Sequence, residues 1–135
     1  MKMKKELQVA IKSVEEAGKI ISGYFEKEKN IREKAVRDLV TEADIAAERK
    51  ILEIIRKDFP DYGIVSEEEG ETKKDSDLKW IIDPLDGTHN FAHGIPLYAS
   101  GVALEHNGKV VLSAINIPFT KETYYAEKKG GAFLN

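Results

Sequence analysis

The chain has 135 residues, enough for one domain with a working core, and its 41% hydrophobic and 33% charged residues mark it as globular rather than disordered. A net charge of −3 with interspersed signs leaves no basic patch for nucleic acid and no polybasic anchor for a membrane surface. There is no cysteine, so disulfides and zinc–thiolate sites are excluded; no apolar run reaches transmembrane length, and no signal-type core follows the basic residues 1–5, which makes a cytoplasmic protein the expectation.

Leu7, Ala10, Ile11, Val14, Ala17, Ile21, Tyr24 and Phe25 recur at helical spacing and predict a first amphipathic helix. Residues 30–37 read as a charged connector. Ile45, Ala46, Ile51, Leu52, Ile55 and Phe59 mark a second helix, ended by Pro60. Ahead of that stripe, Thr41 and Asp44 resemble a capping box with Asp in place of the usual Glu or Gln, which puts a helix start there. Strand patterns follow over residues 62–65, 79–82, 98–105, 109–117 and 122–126, and His106-Asn107-Gly108 is a hairpin signal. Two helices packed on a mainly antiparallel sheet make an α+β layered domain. No repeat, low-complexity segment or linker divides it, so residues 1–135 are expected to form a single unit.

Three acidic segments carry the chemistry. In DLVTEAD (residues 38–44), Asp44 reads either as a helix cap or as a carboxylate facing a cation, and the two roles do not exclude each other. In IVSEEEG (residues 64–70), three glutamates follow a strand candidate. Packed like charges are unfavourable unless solvated or bound to a cation, so the run is either a solvated loop or a place where Glu67, with Glu68, completes an oxygen cage.

The third segment, WIIDPLDGTHNF (residues 80–91), places Asp83 and Asp86 three apart at the end of an apolar strand. Pro84 between them resists a helix, so a turn is expected there. Gly87 permits close backbone approach and Thr88 suits a helix N-terminus, where free N–H groups favour phosphate. Carboxylates for a hard cation beside amides for a phosphate is the layout of a metal-assisted phosphoester site, although D-P and D-G are also common turn dipeptides. His89 and His93 are four apart, but Asn90 stands where a zinc helix needs glutamate, so no zinc site is expected.

Together these segments, with weaker echoes at Gly108-Lys109-Val110 and in AEKKGGAFLN (residues 126–135), resemble the inositol monophosphatase family, the Mg²⁺-dependent, lithium-sensitive phosphatases that include fructose-1,6-bisphosphatases. The resemblance implies the N-terminal half of a layered sugar-phosphatase fold. It also implies that Glu67, Asp83 and the backbone carbonyl of Leu85 hold an activating metal, and that Asp83 and Asp86 supply part of a second site. Glu67 and Asp44 would lie near a third, weaker cation. Thr88, supported by Asp44, would orient or deprotonate the attacking water, with Glu67 beside it. Asp86 and the N–H groups of Gly87 and Thr88 would meet the substrate and its phosphate. Mg²⁺ is the implied cofactor, Mn²⁺ a substitute and Li⁺ an inhibitor.

Two departures stand out. The family carries a lysine shortly before the D-x-V-T-x-x-D motif, and Lys34 lies near that place without a role assigned to it. Family chains are roughly twice as long, and their second half bears a W-D-x-A-A-G motif that this chain, with Trp80 as its one tryptophan, does not contain. The expected function is Mg²⁺-dependent hydrolysis of an inositol monophosphate, with fructose 1,6-bisphosphate as the alternative substrate. The competing expectation is a catalytically silent, metal-binding half that pairs with a second copy, as a homodimer, or with a partner half-chain. The expected ligand is a small phosphorylated polyol or sugar.

Overall fold

The computed structural model describes residues 3–28, 33–67 and 69–135. Glu68 and the side chain of Lys34 lie outside the described residues. Two long helices, α1 (Lys4–Glu28) and α2 (Glu33–Asp58), lead into β1 (Gly63–Ser66), β2 (Gly70–Thr72), β3 (Leu78–Asp86), a short α3 (Thr88–Ala92), β4 (Ala99–His106), β5 (Lys109–Ile117), β6 (Glu122–Glu127) and β7 (Gly131–Leu134). The strands form one sheet in the order β2-β1-β3-β4-β5-β6-β7, parallel between β1 and β3 and antiparallel elsewhere. This is the expected α+β layering, with helices on a mainly antiparallel sheet.

The α1 stripe behaves as its spacing predicts: Ala10, Val14, Ala17, Ile21 and Phe25 are buried against β4 and β5. Along β3, β4 and β5 the period-two alternation turns Trp80, Ile82, Val102, Leu104, Leu112 and Ala114 toward the helices. The opposite face carries Ile81, Ala103 and Ile115, and no described helix packs on it. Asn107 and Gly108 both take positive φ, +51° and +81°, as a two-residue hairpin of type I′ requires.

Four local expectations are corrected. Helix α2 begins at Glu33, so residues 33–37 of the expected connector are helical, while 30–32 lie outside the described residues. Thr41 and Asp44 are therefore inside the helix rather than at its start, and the Thr41 hydroxyl donates back to the Arg37 carbonyl at 3.1 Å. Side-chain back-bonding of this kind is the mid-helix alternative to capping. The run of Asp83 to Asp86 continues strand β3 instead of leaving it as a turn. Thr88 is the first residue of α3, but the cap is Gly87, with no side-chain cap bond. The short strands β2 and β7 and the five-residue α3 carry no sequence pattern long enough to be predicted.

Candidate metal and phosphate site

The end of β3 is built around an irregularity. Asp83 pairs with Gly101 and Asp86 with Ala99, so β3 spends three steps where β4 spends two. In a regular strand, residues three apart point to opposite faces; the one extra residue resets the phase. Pro84 and Leu85 are buried, while Asp83 and Asp86 both emerge on the same exposed side, lining one depression with Ile81 and Ala99. Pro84 is tolerated here because the ladder is already interrupted and its missing N–H breaks no regular pair.

The D-G-T-x-N-F sequence then turns the chain sharply. Gly87 has φ +84°, and a Cβ there would sit 2.8 Å from the Leu97 carbonyl oxygen. Asn90 locks the return loop: its side-chain amide donates to the Leu97 carbonyl at 2.9 Å, and its own carbonyl accepts from the Ile95 N–H at 2.8 Å. Phe91 anchors the turn in the core, edge-on to Phe25 and Tyr98 with centroids 5.4 and 5.3 Å away. Gly87→Ala is expected to destabilise the fold by about 2 kcal/mol or more, since an αL conformation and a backbone clash act together. A lowered midpoint in denaturant titration checks it.

Asp44 reaches the same region from α2. Thr41, Asp44, Ile45 and Glu48 form one helix stripe and, with Val40 and Glu67, line a cavity of about 320 Å³. Glu67 follows the end of β1 and is exposed. Its neighbour Glu69 turns away to pair with Arg56 at 3.2 Å. The glutamate run thus divides between site and surface. His89 and His93 are exposed, and His93 Nδ1 meets the His89 carbonyl at 2.7 Å, which accounts for the pair without a metal.

The four carboxylates Asp44, Glu67, Asp83 and Asp86 act on one another. Burial pushes the Asp44 carboxyl up to about 7, helped by the charge of Glu67, a hydrogen bond to Glu67, and the charges of Glu48 and Asp83. Asp83 is raised by burial first, then by Asp86 and Glu67. Hard carboxylate oxygens held in mutual repulsion suit a divalent cation in chemistry. Among the described residues, however, no three acidic or histidine side chains already surround one point. Sequence reasoning missed Glu48; its signal was a charged residue one turn beyond Asp44 inside an apolar helix.

The upward shifts fix a sign. In the cation-free chain the folded state keeps protons that the unfolded state, with Asp near 3.8, has released. That contribution is full below the unfolded value and is lost as pH rises through about 7. With Asp44 only partly buried, solvent screening reduces the effect to about 1 kcal/mol. The melting temperature in chelator is expected to fall by about 4 °C between about pH 5 and about pH 8, and Mg²⁺ or Mn²⁺ is expected to restore it.

A helical layer covers a mostly antiparallel sheet, and acidic residues gather at a bulged strand end beside a glycine turn. The model of the inositol monophosphatase family matches residues 2–135, and the chain belongs to that family. It is 46% identical over 132 residues to an inositol-1-monophosphatase of Rhizobium meliloti, covering 96% of this chain and 50% of that protein. It is 43% identical over 135 residues to a histidinol-phosphatase of Chlorobaculum parvum, covering 98% and 52%. Among solved structures, the extragenic suppressor protein suhB of Bartonella henselae superposes with a TM-score of 0.86 at 36% identity, covering 97% of this chain and 51% of that one. The chain spans about half the length of these relatives.

Proposed function

We propose that this chain is the metal- and phosphate-binding half of a phosphate-monoester hydrolase that uses Mg²⁺, with Mn²⁺ as a substitute and Li⁺ as an inhibitor. The observation that carries the reading is the β3 bulge, which brings Asp83 and Asp86 to one side next to Glu67 and Asp44. Glu67, Asp83 and the Leu85 carbonyl would hold one cation, with Asp86 and Asp83 toward a second. When bound, the cation supplies Lewis acidity and a lowered pKa for coordinated water. The chain's own groups do the rest: the N–H groups of Gly87 and Thr88 hold the phosphate, Asp86 orients the substrate, and Thr88 with Asp44 takes the proton of the attacking water. Relatives named inositol-1-monophosphatase, histidinol-phosphatase and fructose-1,6-bisphosphatase/inositol-1-monophosphatase match this chain at 46%, 43% and 42% identity, so the similarity does not single out one substrate. Inositol monophosphate is the substrate we put first, with fructose 1,6-bisphosphate as the alternative, and a cytoplasmic location belongs to the same proposal. No described helix is long and apolar enough to cross a membrane.

The test is phosphate release from inositol 1-phosphate, fructose 1,6-bisphosphate and histidinol phosphate, with and without Mg²⁺. Turnover that needs Mg²⁺ and is lost in Asp83→Asn supports the reading. Mg²⁺-independent release that survives the substitution would sink it.

One observation favours a second reading, in which this half is silent alone and completes its site with a second copy or a partner half-chain. The sheet face away from the helices exposes Ile115, Tyr124 and Leu134, and β7 ends the sheet with all four residues exposed. An unpaired edge beside an apolar face invites association. Sedimentation that shows only monomer together with full activity would remove this reading.

A further inference from the structure

We infer that Arg56 is a positioning residue for the cation site: paired with Glu69, it ties the β1–β2 connection that carries Glu67 to helix α2. The inference rests on the metal-site reading proposed above. Asp44 lies inside α2 and Asp83 inside β3, whereas Glu67 is exposed in the link between Ser66 and Gly70, the last pair of β1 and the edge strand β2. The parallel β1–β3 ladder ends at Val65, opposite Ile81, two residues short of Glu67. Helix α2 packs mainly on α1 and β3 rather than on β1 or β2. Arg56 bridges that gap. Its Nη1 donates to Glu69 Oε1 at 3.4 Å and its Nη2 meets Oε2 at 3.2 Å, a two-point fork that fixes direction as well as distance. The Glu69 N–H donates to Ser66 Oγ at 3.2 Å, which closes the connection on itself. Glu67 is thus held between a closed base at Ser66 and an anchor at Glu69, and it lines a cavity with Asp44. Both members of the pair are partly exposed, so the pair adds little to folding stability. Its effect is on the site, because a loosely held ligand must be ordered when a cation binds, and that ordering costs affinity.

Charge and positioning predict opposite signs for one substitution. Arg56→Gln removes a positive charge near an acidic rim, which through space alone would strengthen the attraction for a divalent cation. If Arg56 positions Glu67, Mn²⁺ affinity measured by electron paramagnetic resonance instead weakens by about threefold to fivefold, the factor that matches the usual strength of an exposed ion pair. The melting temperature in chelator moves by less than about 2 °C. Exchanging the two groups, Arg56→Glu with Glu69→Arg, keeps the net charge, re-forms the pair and restores most of the affinity. Unchanged or tighter Mn²⁺ binding in Arg56→Gln overturns the inference, and so does an exchange variant whose affinity stays low. Asp83→Asn separates the inference from the reading beneath it. Mn²⁺ affinity lost in Asp83→Asn but unchanged in Arg56→Gln overturns the Arg56 role alone. Affinity unchanged in both variants, or no Mn²⁺ uptake by the unsubstituted chain, overturns the site reading and the inference together.

Discussion

Asp83→Asn is expected to reduce divalent-cation affinity by about 100-fold or more, the upper end of what altering even an outer partner of a metal site costs. The substitution is nearly isosteric, so packing does not explain a loss. Asp83 is the group whose position is most tightly specified. It pairs with Gly101 at the last regular step of the β3–β4 ladder, just before the extra residue that swings Asp86 to the same side. The charges of both Asp86 and Glu67, far apart in sequence, help to raise its carboxyl, after burial. Asp86→Asn leaves Asp83 and Glu67 in place and is expected to cost less. In the cation-free chain the signs reverse: Asp83→Asn removes a repelling charge and is expected to raise the melting temperature slightly. Calorimetric titration with Mn²⁺ and a thermal melt in chelator read the two effects separately. An unchanged affinity would mean that the cage is wrongly assembled.

How legible this molecule is from its sequence depends on the length scale of the signal. Long periodic elements read well because burial dictates them: the α1 stripe of Ala10, Val14, Ala17 and Ile21 is buried as its spacing requires, and β5 has the predicted bounds. The start of α2 did not read well. Thr41 and Asp44 satisfy a local capping pattern, but the chain continues the helix on both sides of them, and a capping signature cannot report what precedes it. The turn expected at Asp83-Pro84-Leu85-Asp86 failed for a related reason. Proline forbids a regular ladder, but a bulge satisfies that prohibition as well as a turn does, and only the pairing with β4 selects between them. The acidic residues themselves were legible as types. Their convergence was expected from the acidic clustering and the family resemblance rather than from local spacing, because Asp44, Glu67 and Asp83 come from three elements whose proximity follows from packing α2 on β3 and pairing β1 beside it. Glu48 escaped because a lone charge in a helical stripe looks like a surface residue until its burial is known.

The largest stability effect is expected at Trp80. Its side chain is fully buried, it pairs with Ile64 on β1 and Leu104 on β4, and its ring lies against Phe59 and Tyr62 at centroid distances of 5.9 and 6.2 Å. It thus joins the C-terminal end of α2 to the centre of the sheet. Trp80→Ala is expected to cost about 3–5 kcal/mol, a large share of the roughly 5–15 kcal/mol that holds a domain folded. Trp80→Phe is expected to cost much less than volume alone suggests. The indole N–H finds no acceptor among the described residues, and removing a buried unsatisfied donor recovers about 1–3 kcal/mol of desolvation penalty that offsets the lost contacts. The two variants therefore separate cavity formation from polar burial, with urea midpoints as the measure. Trp80 also lies three residues before Asp83 on the same strand, so the effects are linked: a cavity there loosens the register that places Asp83 opposite Gly101. Trp80→Ala is expected to weaken Mn²⁺ binding by about the fraction of chain it unfolds, whereas Trp80→Phe should bind normally. If Trp80→Ala proved as stable as Trp80→Phe, the burial-based account of how β3 is held would be wrong.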